Sequence, residues 1–216
     1  MTDSPRVAVL DYEMSNLLSA SKALEVLGAD VTVVAAPPDL GRFDAVLLPG
    51  VGNFGEAMRR IRAHGLDGTV RDAAAAGVPV LGICLGLQLL FDESEESPGV
   101  AGLGVLPGSV RRLRTARKLP HIGWSHVDWA PGTPLAPAGG TPAESTYYFV
   151  HTYGCEPEDP ALVIGAADHG VRFCAAAGRG GVMGVQFHPE KSSTAGLALL
   201  GRWLEGVRRG AGVTAA

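Results

Sequence analysis

The first ninety residues alternate between short apolar runs and stretches in which apolar residues recur every three or four positions. The runs predict buried strands, and the recurring positions predict helices packed against them. Strands are predicted at Arg6–Leu10, 31–35, 45–48 and 78–83, and helices at 16–27 (capped by Ser15), 54 to about 76 in two parts, and 87–91. Strands that alternate with helices in this way favour a parallel α/β sheet.

Residues 92–180 have a different composition: they are rich in Gly, Pro and β-branched residues and show few amphipathic helical patterns. Short strands are predicted at 104–106, 110–113, 147–151, 163–167 and 171–177, with a turn at 168–170 and an irregular loop at 131–142. A last strand at 182–187 leads to a helix capped by Ser192 or Ser193. We therefore expect one α/β domain, residues 1–216, with a central, mostly parallel sheet flanked by helices and an additional antiparallel β region.

Composition narrows the classes of function. The 216 residues carry a net charge of −4 without a strong charge run, which argues against nucleic acid as the main partner. No apolar run is long enough to span a bilayer, and no signal-peptide core follows the amino terminus. Cys84, Cys155 and Cys174 are sparse and lack Cys-x-x-Cys spacing, so we expect a cytoplasmic protein with free thiols and no metal site.

Candidate chemistry begins where the fourth predicted strand ends, at Gly82-Ile-Cys84-Leu-Gly86. A cysteine between two glycines, where a strand turns into a helix, is the thiol form of a nucleophile elbow. The glycines permit a strained turn, and the helix N-terminus favours a thiolate and offers N–H groups to an oxyanion. Because a buried core cysteine is the common alternative, the elbow needs partners elsewhere in the chain.

A glycine-rich loop, Gly50-x-Gly52-x-x-Gly55, follows the third predicted strand. The spacing also fits a dinucleotide fingerprint, but the loop does not follow the first strand of a βαβ unit and lacks the acidic strand end about 20 residues later. A plain flexible turn is the other alternative. The position at the carboxyl edge of the sheet favours a loop whose N–H groups face Cys84 and complete an oxyanion hole.

His188-Pro189-Glu190 follows the last predicted strand, so it too is expected at the carboxyl edge. Residues two apart in an extended segment face the same way, which lets Glu190 bond the ring nitrogen of His188 that does not face the thiol. A lone histidine at a strand end is usually a surface residue. Together with the elbow and the glycine loop, however, the set favours an activated-nucleophile triad made of Cys84, His188 and Glu190.

Two segments, GICLGLQ at 82–88 and HPEKS at 188–192, resemble the class I, triad-type glutamine amidotransferases. Others resemble the glutaminase subunit family of imidazole glycerol phosphate synthase, in order along nearly the whole chain: DY at 11–12, SNL at 15–17, LPGVGNFG at 48–55, SEE at 94–96, PHIGW at 120–124 and YFVHTY at 148–153. The elbow marks only the superfamily, whereas PGVG, HIGW and FVHTY together are specific to the subunit. Ser125 departs from the Asn that is usual in the family, which affects a contact at the partner face and not the triad.

The resemblance implies glutamine hydrolysis on the class I glutamine amidotransferase fold, without a cofactor. Cys84 would attack the side-chain amide of glutamine, His188 would transfer protons, and Glu190 would support His188. The N–H of Leu85 and a peptide N–H of Gly50–Val51 would stabilise the oxyanion. The residues implied to hold glutamine are Gly52, Gln88, Glu96, Thr152 and Tyr153.

The resemblance also implies a heterodimer. In the family, ammonia passes to a separate (β/α)₈-barrel cyclase subunit, which makes imidazole glycerol phosphate and an aminoimidazole carboxamide ribotide in histidine biosynthesis. Because water would protonate released ammonia, a dry interface is expected. The positions implied to face the partner are Asn16, Trp124, Tyr148 and Lys191.

Two alternatives are distinguishable from the sequence. Another triad amidotransferase, serving anthranilate, aminodeoxychorismate or GMP synthesis, would share the elbow, but the PGVG loop and the FVHTY segment argue against it. A non-enzymatic binding module of the same fold should lack the His–Glu pair or the glutamine-holding residues, and this chain retains both.

Overall fold

The computed structural model describes residues 4–14, 16–138 and 141–210. Its strands are β1 (Arg6–Leu10), β2 (Asp30–Val34), β3 (Ala45–Gly50), β4 (Val80–Cys84), β5 (Glu93–Ser94), β6 (Gly108–Arg112), β7 (His121–His126), β8 (Asp128–Trp129), β9 (Thr146–His151), β10 (Tyr153–Pro157), β11 (Val163–Asp168), β12 (Arg172–Arg179) and β13 (Val182–Val185). Its α-helices are α1 (Leu17–Val26), α2 (Phe54–Ala63), α3 (Leu66–Ala75), α4 (Leu85–Leu89) and α5 (Ser193–Arg208). No helix in these ranges is long and apolar enough to cross a membrane.

The core of the fold is a parallel sheet in the order β2-β1-β3-β4-β13. Strands β3 and β4 are buried along their whole length, because α1 and α5 pack on one face of the sheet and α2, α3 and α4 on the other. The carboxyl ends of β3, β4 and β13 meet at one edge, where Cys84 lies opposite Gly50 in the ladder. The predicted parallel α/β sheet is confirmed.

The sheet continues beyond β13 with antiparallel strands in the order β12-β10-β6, and β5 pairs with β6 at the end. Strands β11 and β12 form the predicted hairpin, in which the N–H of Gly170 donates to the Asp168 carboxylate at 2.8 Å. A separate antiparallel pair, β7 and β9, sets His121 opposite His151 and Trp124 opposite Tyr148. The predicted antiparallel region is therefore confirmed.

Two features of this region differ from the sequence prediction. Residues 104–106 form no strand, because Gly104 has a φ of +64° and the N–H groups of Val105 and Leu106 both donate to the Leu90 carbonyl. Strands β7 and β10, and the two-residue strands β5 and β8, were not predicted. The sequences of β7 and β10, HIGWSH and YGCEP, contain glycine, proline and polar residues. Pairing makes them strands, β7 with β9, and β10 with β6 and β12.

Helix ends also differ in detail from the prediction. The cap predicted at Ser15 lies outside the described residues, and α1 begins at Leu17 after Asn16, whose side chain makes no capping bond. Ser192 stands at the N-cap position of α5, but its hydroxyl does not cap the helix. The hydroxyl bonds instead to backbone groups of His188 and Tyr148.

Candidate active site

The strand-to-helix turn at Cys84 has the predicted elbow geometry. Cys84 is the last residue of β4 and has a φ of +54°, a conformation that non-glycine residues rarely adopt. A Cβ on Gly82 would lie 2.7 Å from the backbone of Gly86, and a Cβ on Gly86 would collide with the carbonyl of Leu48. Both flanking glycines are therefore sterically required. Helix α4 begins at Leu85, so the N–H of Leu85 has no partner within its own helix.

His188 and Glu190 form a buried pair, with 2.8 Å between Nδ1 and the carboxylate. Their side chains are only 2% and 3% exposed. Burial by itself would lower the pKa of His188, but the interactions with Cys84 and Glu190 outweigh it and raise the pKa to about 9. Nε2 has no nitrogen or oxygen partner within the described ranges, so it is left to the thiol of Cys84.

Hydrogen bonds fasten His188 to β9. Its N–H donates to the Tyr148 carbonyl at 2.9 Å. The hydroxyl of Ser192 donates to the His188 carbonyl at 2.6 Å and accepts from the Tyr148 N–H at 2.9 Å. The side chain predicted to cap α5 is thus used to join the histidine turn to β9, because these two polar backbone groups are buried beside it.

The glycine loop is held by residues that follow β1. The hydroxyl of Tyr12 donates to the Pro49 carbonyl at 2.8 Å, and burial raises the pKa of Tyr12, which keeps this donor protonated. A Cβ on Gly50 would collide with the same hydroxyl. The N–H of Val51 donates to the Met14 carbonyl at 2.9 Å. The N–H that was expected to face the oxyanion is therefore engaged elsewhere in this conformation.

A cleft of about 280 Å³ opens over the thiol. This volume lies near the lower end of the roughly 300–1,000 Å³ that is usual for small-molecule sites and suits a ligand the size of an amino acid. Its lining consists of Val51, Gly52, Cys84, Leu85, Gln88, Glu96, Pro120, Val150, His151, Thr152, Tyr153 and His188. All five residues expected to hold glutamine thus share one cleft with Cys84 and His188. Sequence reasoning did not single out Pro120, Val150 or His151.

A row of side-chain amides leads from the cleft to the thiol. The amide nitrogen of Gln88 donates to the Tyr153 carbonyl at 3.2 Å and to the side-chain oxygen of Gln186 at 3.0 Å. Gln186 is fully buried, and its own amide nitrogen lies 3.7 Å from the Cys84 sulfur. Sequence reasoning missed Gln186. The period-two alternation that relates it to His188 was the signal that could have found it.

Glu96 joins the cleft to the start of α2. Its carboxylate accepts the N–H of Phe54 at 2.7 Å, in the first turn of the helix. A carboxylate is stabilised at this end of a helix by the macrodipole. Glu96 therefore brings a negative charge to the wall of the cleft in a fixed position.

Three of the residues expected to face a partner are exposed: Asn16, Trp124 and Lys191. Trp124 is 54% exposed, and its ring packs edge-on against Tyr148, with 6.0 Å between ring centroids. Ser125, which departs from the family pattern, turns inward, with its hydroxyl 3.0 Å from Nε2 of His121. The departure therefore lies at an internal contact, on the same strand as Trp124.

A family model and several solved structures match most of this chain. A family model described as glutamine amidotransferase class-I matches residues 8–204. Two solved structures from Thermotoga maritima share the fold: a glutamine amidotransferase (TM-score 0.69, 17% identity, covering 95% of this chain and 99% of that one) and PurLQS (TM-score 0.74, 21% identity, covering 94% and 99%). At these identities the structural likeness speaks for the fold alone.

Curated relatives are much more similar in sequence. The imidazole glycerol phosphate synthase subunit HisH of Moorella thermoacetica is 46% identical over 202 residues, which cover 94% of this chain and 95% of the relative. The subunit of the same name from Synechococcus elongatus is 47% identical over 208 residues, with 94% of each chain covered. That of Symbiobacterium thermophilum is 44% identical over 198 residues, with 92% of each covered. The chain therefore belongs to the class I glutamine amidotransferase family and, within it, to the family of HisH subunits of imidazole glycerol phosphate synthase.

Proposed function

We propose that this chain is the glutaminase subunit of an imidazole glycerol phosphate synthase and hydrolyses glutamine to glutamate and ammonia. The observation that carries the proposal is the cleft in which Cys84 stands at a strained elbow beside His188, which Glu190 holds at 2.8 Å. A thiol, an imidazole and an orienting carboxylate are the parts of an activated nucleophile. The names of the relatives favour this synthase over anthranilate, aminodeoxychorismate or GMP synthesis.

The first half of the reaction forms a thioester. The thiolate of Cys84 attacks the side-chain carbonyl carbon of glutamine, and the carbonyl electrons move onto oxygen. When this tetrahedral species collapses, the C–N bond breaks and the imidazolium of His188 gives its Nε2 proton to the departing nitrogen, which leaves as ammonia. The raised pKa of His188, to about 9, keeps the imidazole protonated at neutral pH beside the Cys84 thiolate, so the proton is in place before the attack.

The second half of the reaction releases glutamate. Neutral His188 takes a proton from a water molecule, the oxygen attacks the thioester carbon, and the C–S bond breaks to return the thiolate. Glu190 accepts from Nδ1 throughout, which fixes the tautomer and stabilises the imidazolium.

Oxyanion stabilisation requires a change in the glycine loop. The N–H of Leu85 is available at the start of α4, whereas the N–H of Val51 is held by the Met14 carbonyl. One oxyanion donor typically contributes about 10²–10³-fold in rate. We therefore propose that the described conformation is a weakly active one, and that rotation of the Gly50–Val51 peptide supplies the second donor.

The rest of the cleft suits the polar groups of glutamine. Both protons of the Gln88 amide are used within the protein, so this residue can offer a ligand only its carbonyl oxygen. The charge of Glu96 suits an α-ammonium group. Gly52, Thr152 and Tyr153 complete the set of residues that we propose to hold glutamine.

We further propose that the partner is a (β/α)₈-barrel cyclase subunit that receives the ammonia in a heterodimer. It would dock on the face that carries Asn16, Trp124, Tyr148 and Lys191. An exposed tryptophan in edge-on contact with a half-buried tyrosine is a typical anchor of protein interfaces. Three free cysteines, none paired in a disulfide, support a cytoplasmic location.

The test is steady-state glutamine hydrolysis by the purified chain alone and with a barrel cyclase subunit loaded with its ribotide. We expect glutamate formation to rise on mixing, and nitrogen from labelled glutamine to appear in imidazole glycerol phosphate. Glutamate formation without transfer of the label would contradict the assigned partner, and failure to form glutamate at all would contradict the activity.

A further inference from the structure

Two buried histidines form a direct pair in the wall of the cleft. His121 on β7 and His151 on β9 stand opposite each other in the ladder and are 3% and 6% exposed. Nδ1 of His121 lies 3.0 Å from Nε2 of His151. A nitrogen–nitrogen hydrogen bond needs one donor and one acceptor, so the two rings must hold complementary protons.

The surrounding bonds fix which nitrogen holds each proton. Nδ1 of His151 lies 2.8 Å from the Tyr153 carbonyl, which can only accept, so this nitrogen is an N–H. In a neutral ring Nε2 of His151 is then an acceptor, and Nδ1 of His121 donates to it. That leaves Nε2 of His121 to accept from the hydroxyl of Ser125 at 3.0 Å. All four ring nitrogens are therefore used.

The surroundings keep both rings neutral and in place. Burial lowers the pKa of His151 to about 3 and that of His121 to about 4. The ring of His121 is sandwiched between Phe149 at 5.1 Å and His169 at 4.1 Å between centroids. His169 is itself fixed by the Lys118 carbonyl, 3.1 Å from its Nε2. The pair thus has one orientation and one pattern of protons.

The pair is continuous with the amides beside the nucleophile. The Tyr153 carbonyl accepts from His151 and also from the side-chain amide of Gln88. Gln88 donates in turn to Gln186, whose amide nitrogen lies 3.7 Å from the Cys84 sulfur. A chain of hydrogen bonds therefore runs from Ser125, on the strand that carries exposed Trp124, to the thiol.

We propose that His121 and His151 are positioning residues for glutamine hydrolysis, which hold residues 150–153 and, through the Tyr153 carbonyl, the amides of Gln88 and Gln186 beside Cys84. This inference rests on the proposed function. Both nitrogens of His151 are committed within the protein, so it acts through Tyr153 although it lines the cleft. Ser125 is the outer end of the chain and fixes the tautomer of His121.

The informative variants separate packing from hydrogen bonding. His121→Phe keeps an aromatic ring between Phe149 and His169 but removes both nitrogens. Ser125→Ala removes only the outermost donor, and Ser125→Asn supplies an amide donor at that position. His64→Gln is the control, because His64 lies at the far end of α2 and its Nδ1 contacts only the Arg60 carbonyl among the described bonds.

Three measurements are made on the full chain. The first is kcat and KM for glutamine with the loaded barrel subunit. The second is the rate at which iodoacetamide alkylates Cys84, which needs neither glutamine nor partner. The third is the nitrogen–nitrogen NMR coupling across the hydrogen bond between the two imidazoles, which a merely structural role in packing would not require.

We expect a measurable coupling between Nδ1 of His121 and Nε2 of His151 in the wild type. In His121→Phe, kcat should fall by roughly tenfold to a hundredfold with a smaller change in KM, as for a misplaced nucleophile, and alkylation should slow in parallel. Ser125→Ala should lose about threefold in kcat, the size of one hydrogen bond, whereas Ser125→Asn and His64→Gln should stay near the wild type.

Absence of the coupling in the wild type would overturn the inference. So would a kcat and an alkylation rate equal to those of the wild type in both His121→Phe and Ser125→Ala. If His121→Phe does not fold, the coupling and the two Ser125 variants decide. Failure of the wild type to hydrolyse glutamine with the barrel subunit would count against the proposed function, while alkylation and coupling would still test the positioning role.

Discussion

The two walls of the cleft are built by different physical means. The nucleophile wall, residues 49–52 and 82–88, depends on close backbone approach, since a Cβ on Gly82 or Gly86 would meet neighbouring backbone. The histidine wall, residues 120–125, 148–153 and 186–192, depends on hydrogen bonds between segments far apart in the chain. The bonds that join His188 and Ser192 to Tyr148 are examples.

This difference predicts how each wall responds to substitution. Steric fit at a backbone contact is lost with a single added methyl group, because close-packed interiors do not yield to it. A wall held by hydrogen bonds should lose activity in small steps, because each lost bond leaves the others in place. Substitutions on the two walls should therefore differ in kind, and the following five predictions test that contrast.

The largest effect is expected from Cys84→Ala on the nucleophile wall. Glutamine-dependent synthesis should fall on the order of 10⁴-fold or more, as for removal of a triad nucleophile, while synthesis from ammonium salt through the partner should persist. The measurement is the rate of imidazole glycerol phosphate formation from each nitrogen source. Equal loss with both sources would show that Cys84 has a structural role only.

On the histidine wall, His188→Asn should cost much more than Glu190→Gln. His188 moves the proton, whereas Glu190 orients the ring through one bond of 2.8 Å, and loss of an orienting carboxylate is typically at least tenfold milder than loss of the base. Single-turnover rates of thioester formation compare the two variants. A greater loss in Glu190→Gln would reverse the assigned roles.

The glycine loop should limit the isolated chain. Because the Met14 carbonyl holds the Val51 N–H, glutamine hydrolysis without partner should be slower than in the ligand-loaded complex by roughly 10²–10³-fold, the contribution of one oxyanion donor. Steady-state assays of the chain with and without loaded partner measure this ratio. Equal turnover in both would mean that the loop is only a turn.

Backbone approach on the nucleophile wall can be tested through stability. Gly86→Ala would drive a methyl group into the Leu48 carbonyl, so the free energy of unfolding should fall by about 1–3 kcal/mol or more. Gly68→Ala in α3 is the matched control, since its Cβ would enter open space and should raise stability by about 0.5–1 kcal/mol. Urea unfolding of the three proteins makes the comparison, and similar stabilities for both variants would contradict the steric argument.

The smallest effect is a shift in titration on the histidine wall. The pKa of His188 is raised from its ordinary 6.5 to about 9, so the stability contributed by its charged form is complete below about pH 6.5 and is lost as pH rises through about 9. In Glu190→Gln the pKa should move back toward 6.5, because one of its two stabilising partners is neutral. NMR titration of the His188 ring measures it, and an unchanged pKa would assign the whole shift to Cys84.

The sequence alone determined the parallel core and the three-part constellation at its carboxyl edge. Strand and helix periodicity placed β1 to β4 within about two residues of their observed bounds, and the glycines around Cys84 marked a turn that only small residues allow. The His-x-Glu spacing gave the His188–Glu190 bond. These features are local: they follow from side-chain periodicity, from backbone sterics, and from residues at most four apart.

The tertiary structure decided what depends on contacts between distant segments. Strands β7 and β10 exist because partners pair with them, and the hydroxyl of Ser192 serves β9 instead of α5. The engagement of Val51 by Met14, and the amide of Gln186 beside Cys84, join segments 37 and 102 positions apart. The spacing of apolar residues along the sequence does not predict such pairs. A buried polar side chain bonds to whichever donor or acceptor the folded chain places next to it.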